Sequence, residues 1–364
     1  MFAAAAANGV ANAKRRLVGD ADDNVWHATG IARSFLAEEA EDGRSVTLRS
    51  SSRGTACFRD NTERVPFVHG ETFDVSGDDL PDKPCVLQGC CDSWHAMADG
   101  RHWSVESLAE RCTEGDVFSL DGGPGLARNS MSEASVSMLE YLRYCSEDGE
   151  SDDAPLYIFD PCILTRAFRE GTMLSSEYTV PHCFSQDKMG AITGSQYRPL
   201  PPAWLLVGAA RSGTPIHDHP LNAAWNSLLD GCKLWVIFPP DVDEGFLLLD
   251  EGEDYDLSAV EWFLWWAGGL ASADDCSTED SLAKRLLPSQ TKIIVQHPGE
   301  TVFLPPGWWH VVLNIRTSTA ISYSLALRRD YERHWLALFE EDEAFAVFWR
   351  DALEREKAEA SRAK

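Results

Sequence analysis

The strongest constraint on this chain is a rhythm in its second half. Short runs of β-branched and aromatic residues at 156–159, 204–207, 233–238, 292–296, 301–304, 310–314 and 319–325 alternate with turns rich in Pro and Gly. Each run is shorter than an ordinary helix and is bounded by residues that break helices, so each reads as a strand. Many short strands leave many unpaired edges, which a sandwich or closed barrel removes. The expected fold class is therefore mainly β with α parts (α+β), and a jelly roll satisfies the spacing.

Other segments depart from that rhythm. Residues 241–290 are acidic, carry one expected helix at 259–267 with Trp262, Trp265 and Trp266, and read as an insertion between strands. Upstream, 83–88 reads as a buried strand, 103–111 as a helix capped by Ser104, and 136–144 as a second helix ended by an acidic loop. Residues 1–60 are Ala-, Ser- and charge-rich with little periodicity, which predicts a disordered extension. From Arg328 the chain is helical, with Trp335, Leu338, Phe339, Phe345, Phe348 and Trp349 at i, i+3, i+4 spacing. Such a stripe packs on the barrel or forms a homodimer contact. The division is thus 1–60, an N-terminal α/β part over 61–155 packing on the barrel, a barrel over 156–327 with its insertion, and C-terminal helices over 328–364.

Two distant stretches carry chemistry. In 211–226, RSGTPIHDHPLNAAWN, alternation along a strand lets His217 and His219 address one point while Asp218 points elsewhere, unless a bulge turns it inward. In 298–314, PGETVFLPPGWWHVVLN, His310 opens an apolar strand, where a histidine needs a partner. Three ligands from two strands with positions left open describe a non-haem Fe(II) site. Lys233 stands in an otherwise apolar strand and needs an anion.

These segments, with Leu156 to Asp160, resemble the JmjC family, in the branch that holds arginine demethylase and lysyl hydroxylase activities. The likeness runs from about Arg64 to Phe339. It implies a double-stranded β-helix (a cupin-like jelly roll), Fe(II), and 2-oxoglutarate as cosubstrate. By resemblance, His217 and His310 are metal-binding histidines, Lys233 pairs with the far carboxylate of 2-oxoglutarate, and Tyr157, Thr214, Asn226 and Ser322 line the cosubstrate pocket. The family pattern is His-x-Asp, whereas this chain reads His217-Asp218-His219. Either His219 replaces the carboxylate or Asp218 swings into its place; strand alternation favours His219. The activity implied is hydroxylation or demethylation of Lys or Arg side chains in a protein. Two rivals remain at this stage. One is a pseudoenzyme that keeps the scaffold to bind a basic partner. The other is a three-histidine dioxygenase of a small thiol or diketone, which would have no use for Lys233 and Ser322.

Composition bears on partners. With 32 Lys+Arg against 58 Asp+Glu, the formal charge of -26 opposes broad binding to nucleic-acid phosphates and suits a basic peptide. Ten cysteines without C-x-x-C spacing in a long chain point to a reducing, intracellular setting, nucleus or cytoplasm, of which the family resemblance implies the nucleus. The apolar start precedes Lys14-Arg15-Arg16, the wrong order for a secretory signal, and no apolar run is long enough to span a membrane.

Overall fold

The computed structural model describes residues 35–50, 54–68, 71–74, 76–98, 102–121, 135–149, 152, 155–199, 203–247, 258–270 and 287–362. Its strands are β1 (Phe35–Glu39), β2 (Ser45–Ser50), β3 (Gly54–Arg59), β4 (Arg64–Pro66), β5 (Cys85–Gln88), β6 (Val117–Asp121), β7 (Ser135–Ser137) and β8 (Tyr157–Asp160). They continue with β9 (Ala203–Gly208), β10 (Gly213–His217), β11 (Ala223–Phe238), β12 (Lys292–Gln296), β13 (Glu300–Leu304) and β14 (Trp309–Leu325). The helices that matter are α1 (Val105–Arg111), α2 (Met138–Glu147), α3 (Ala259–Leu270), α4 (Tyr331–Glu341) and α5 (Glu343–Arg362).

Two long strands organise the barrel. β11 and β14 pair antiparallel from Ala223↔Leu325 to Phe238↔Trp309, with register shifts between Leu228 and Lys233. The first half of β11 takes β13 as its other neighbour and the second half takes β12. β14 likewise takes β10 at its start and β9 at its end. Each long strand thus serves two layers and bends between them. Side-chain parity shows the folding over. Trp225 and Leu229 join one outer core, and Leu234, Val236 and Phe238 join another. Ala224, Trp235 and Ile237, from opposite halves of β11, share one cluster with Val86, Ile294, Val302 and Val312. That cluster is the barrel interior, and the architecture is a jelly roll.

The bend needs Gly231. Its φ is 91°, and an added Cβ would meet the Thr317 carbonyl oxygen and the Ser318 hydroxyl of β14. Gly231→Ala is expected to destabilise the protein by about 2 kcal/mol or more, combining left-handed strain with a backbone clash. Urea unfolding measures it, and an unchanged midpoint would mean that the bend is set elsewhere.

The structure corrects the reading of 1–60 over its described part. Residues 35–50 and 54–59 form the antiparallel sheet β1–β2–β3. Val46, Leu48, Ala56 and Phe58 alternate onto one face and pack with Cys232, Leu234 and Phe263 in the second outer core. Burying Val46, Leu48 and Phe58 is worth about 1.5–3 kcal/mol each, which a free three-stranded sheet would lack. The alternation is short and diluted by Ser, Thr and Arg, so composition hid it. The basic cluster Lys14 to Arg16 lies outside the described residues.

The runs expected at 310–314 and 319–325 are one strand, because Arg316 to Ser318, polar in sequence, still pair across the bend. The helix expected from Val136 begins at Met138, where Ser137 and Glu140 form a capping box. In the insertion, α3 packs against the second outer core. Trp262 is fully buried there and donates its Nε1–H to the Leu247 carbonyl. It is core and lines no cleft; the side chains of Trp265 and Trp266 lie outside the described residues. The aromatic stripe of α4 and α5 closes on its own chain. Trp349 is buried with Ile192, Ala326 and Leu353, and donates to the Lys188 carbonyl.

Candidate metal centre

Three histidines converge at the mouth of the barrel. His217 ends β10 and pairs across to His310 near the start of β14, after an irregularity that restores parity with Thr214↔Val312. Past the strand end, the His219 carbonyl accepts from Gly307 N–H at 2.8 Å, so the backbone stays extended beside β14. That extension puts His217 and His219 on one side. Ligand atoms of His217, His219 and His310 lie within 4.8 Å of one another, and the ring centroids are 4.2–5.3 Å apart. Asp218 is not in the cluster, for the alternation that brings its neighbours together turns it away.

The ring orientations suit a metal. His217 Nδ1 is 2.8 Å from the Pro215 carbonyl and His310 Nδ1 is 3.1 Å from that of Trp308. A carbonyl only accepts, so both Nδ1 atoms carry the proton and both Nε2 lone pairs are free to ligate. Burial pushes His219 down to about 4, helped by nearby His217, and pushes His310 well below the usual histidine range. Burial thus favours the neutral imidazole at both His219 and His310. Converging lone pairs of neutral imidazoles are the donor set of a divalent transition metal.

Deeper inside, Lys233 is buried, and no carboxylate among the described residues pairs with it. Its Nζ donates to Asn314 Oδ1 at 2.8 Å and to the Tyr157 hydroxyl at 3.1 Å. Burial lowers it from 10.5 to about 7. Two neutral acceptors do not offset a buried ammonium, and a dicarboxylate would. Asn226 and Ser322 are cross-strand neighbours on the same wall, and Asn226 Oδ1 is buried without a hydrogen-bond partner. The Ser322 hydroxyl instead donates to the Trp225 carbonyl. Thr214 lies one β10–β14 pair from the histidines. His217, His219 and His310 thus converge, Lys233 contacts Tyr157, and Asn226 stands opposite Ser322, while Asp218 is outside the histidine cluster.

Sequence reasoning missed three members of this interior. Asn314 holds Lys233 and Ser212; Gln296 accepts from Trp235 Nε1; Trp235 stacks on His310 with centroids 6.0 Å apart. Parity offered a signal, since Asn314 is four residues past His310 and Trp235 two past Lys233 on faces already assigned.

A family described as a cupin-like domain matches residues 80–327, the stretch that holds the jelly roll and the three histidines. The bifunctional arginine demethylase and lysyl-hydroxylase psr-1 of Caenorhabditis elegans is 32% identical over 304 residues, covering 82% of this chain and 69% of that protein. The chain belongs to the cupin-like JmjC family. Within this family it is also 33% identical over 277 residues to the arginine-specific demethylase JMJ22 of Arabidopsis thaliana, covering 74% of this chain. It is 26% identical over 295 residues to the 2-oxoglutarate and iron-dependent oxygenase JMJD4 of Gallus gallus, covering 76% of this chain. The matches cover 47% of JMJ22 and 63% of JMJD4, so the chain spans only part of these JmjC relatives. No helix among the described residues is long and apolar enough to cross a membrane.

Proposed function

We propose that this protein is an Fe(II)- and 2-oxoglutarate-dependent oxygenase that hydroxylates or demethylates Lys or Arg side chains of a basic protein. The observation that carries the reading is the pairing of two features in one interior. Three histidines converge, and a buried lysine that pairs with no carboxylate among the described residues stands behind them. A three-histidine dioxygenase of small thiols would need the first feature and be burdened by the second. The family's named demethylases, hydroxylases and oxygenases support turnover over a binding-only role.

His217, His219 and His310 would hold the iron through Nε2 or its equivalent. Fe(II) with 2-oxoglutarate and dioxygen would supply oxidation of a C–H bond to an alcohol, one oxygen atom going to the alcohol and the other to succinate as CO₂ leaves. Lys233 would bind the far carboxylate, with Asn314 and Tyr157 keeping the ammonium in place. Asn226, whose Oδ1 lacks a partner, and half-buried Thr214 would orient the rest of the cosubstrate. The apolar walls, Trp235, Ile237, Val302 and Val312, exclude water from the reacting centre. An alcohol on an N-methyl group collapses to formaldehyde, which is demethylation; on a lysine methylene it stays as hydroxylysine.

The formal charge of -26 supports a Lys- or Arg-rich substrate. Every cysteine among the described residues is free, which supports a reducing compartment, nucleus or cytoplasm. The test is anaerobic titration with Fe(II) and 2-oxoglutarate. A visible metal-to-ligand charge-transfer band is expected in the wild type and absent in Lys233→Ala. Metal binding with no such band in the wild type would leave a binding module and sink the oxygenase reading. A Lys/Arg-rich peptide carrying N-methylated residues then separates the two chemistries by mass, since hydroxylation gains an oxygen and demethylation loses a CH₂ as formaldehyde.

A further inference from the structure

Away from the three histidines, a second set of metal-type side chains meets where the small sheet joins the barrel. Glu39 ends β1, Cys232 lies in the bend of β11, and His297 sits in the turn between β12 and β13. A carboxylate oxygen, the thiol sulfur and a ring nitrogen of these residues all lie within 4.8 Å of one another. Cys232 is completely buried, and the other two are half-buried.

The hydrogen bonds decide which ring nitrogen faces the cluster. His297 Nε2 is 2.7 Å from the Gly43 carbonyl, so Nε2 carries a proton and donates it. Nδ1 then faces Glu39 Oε1 at 3.6 Å. That is too long for a hydrogen bond, and a charge-assisted one would close to about 2.7–2.9 Å. It is instead close to the edge of a tetrahedron with metal–ligand bonds of about 2.1 Å, roughly 3.4 Å. The outer contacts are those that orient ligands. Arg316 donates to Glu39 Oε2 at 2.8 Å, leaving Oε1 to face inward, and the Gly43 carbonyl fixes the imidazole.

We propose that Glu39, Cys232 and His297 form a second metal site, which takes a borderline divalent cation of the Zn²⁺ type. Thiolate, imidazole and carboxylate are the donor set of that class, with the fourth position left to water. The Cys232 thiol gives up its proton to solvent as the metal–sulfur bond forms. The loaded site staples β1 and the β12–β13 turn to the bend of β11. It therefore steadies the strand that carries Lys233, whose side chain points to the opposite face. The site is independent of the oxygenase reading, because none of its residues belongs to the three-histidine centre.

The test uses Co²⁺ on the full-length, reduced chain carrying His217→Ala and His310→Ala, which removes the first centre. A thiolate-to-cobalt charge-transfer band saturating at a single equivalent is expected. Cys232→Ser should abolish it, and His297→Ala should weaken the cobalt affinity by about tenfold or more, with circular dichroism unchanged in both. In the same double-alanine background, Zn²⁺ should also raise the melting temperature, and adding Cys232→Ser should remove that rise. No thiolate band in the double-alanine chain, or one that survives Cys232→Ser, overturns the site. A band lost in Cys232→Ser yet indifferent to both His297→Ala and Glu39→Gln overturns the three-ligand assignment.

Discussion

Lys233→Met is expected to raise the melting temperature of the protein while removing its hold on 2-oxoglutarate. In the folded chain, burial lowers the lysine from 10.5 to about 7. The folded state therefore binds fewer protons than the unfolded state between those values, and stability rises with pH across that window. Below pH 7 the penalty is present in full, about 5 kcal/mol at 1.36 kcal/mol for each unit. Methionine removes it, but takes away the donor that Asn314 Oδ1 now uses, at a cost of about 1–3 kcal/mol. The net gain below pH 7 is about 2–4 kcal/mol, a few degrees of melting temperature at this chain length. Affinity for 2-oxoglutarate should fall by at least about 30-fold, as when one partner of a buried charge pair is removed. The wild type should also bind the dicarboxylate most tightly at and below pH 7. Above it, affinity should decline by up to about tenfold per pH unit, because the free lysine has lost the proton the anion needs. Calorimetry across pH 6 to 9 reads both effects. A lower melting temperature in Lys233→Met, or a pH-independent affinity, would show that the lysine is not the uncompensated charge described.

The second large effect concerns the triplet His217-Asp218-His219. His219→Ala is expected to lower Fe(II) affinity by more than about 100-fold, beyond the 10–100-fold loss of an outer-shell partner. Asp218→Ala should change it by less than about threefold, since Asp218 lies outside the converging set. Anaerobic Fe(II) titration in a Cys232→Ser background keeps the second proposed site from contributing. The reverse ranking would mean that a bulge turns Asp218 inward on metal binding. His219→Asp adds a third arm. It should retain metal and lower the net charge of the centre, so its turnover measured against wild type reports what the histidine costs oxygen activation.

Much of the barrel was legible because its signals are local. The runs at 292–296 and 301–304 alternate or saturate with apolar residues and end at Pro or Gly, and the structure has strands there with bounds shifted by at most one residue. The same locality made α1 readable from Ser104, whose hydroxyl accepts from Ser107 N–H at the helix start. It failed at β1–β3, where Val46, Leu48 and Phe58 have meaning only against α3 and the bend of β11. It failed again at Arg316 to Ser318, polar residues held in a continuous strand by neighbours on both sides.

The candidate centre divides in the same way. The sequence by itself determined the residue types: a histidine pair two apart at a strand end, a third histidine opening an apolar strand, and a lysine where no charge should be stable alone. Whether Asp218 or His219 joined them hung on the backbone staying extended past His217, which the contact between His219 and Gly307 maintains. Only the tertiary structure set Asn314 beside Lys233, and Glu39 beside Cys232 and His297. Periodicity and turn chemistry are written within a few neighbouring residues. Which distant strands become neighbours is settled by burying their faces together, and no short stretch of chain contains that.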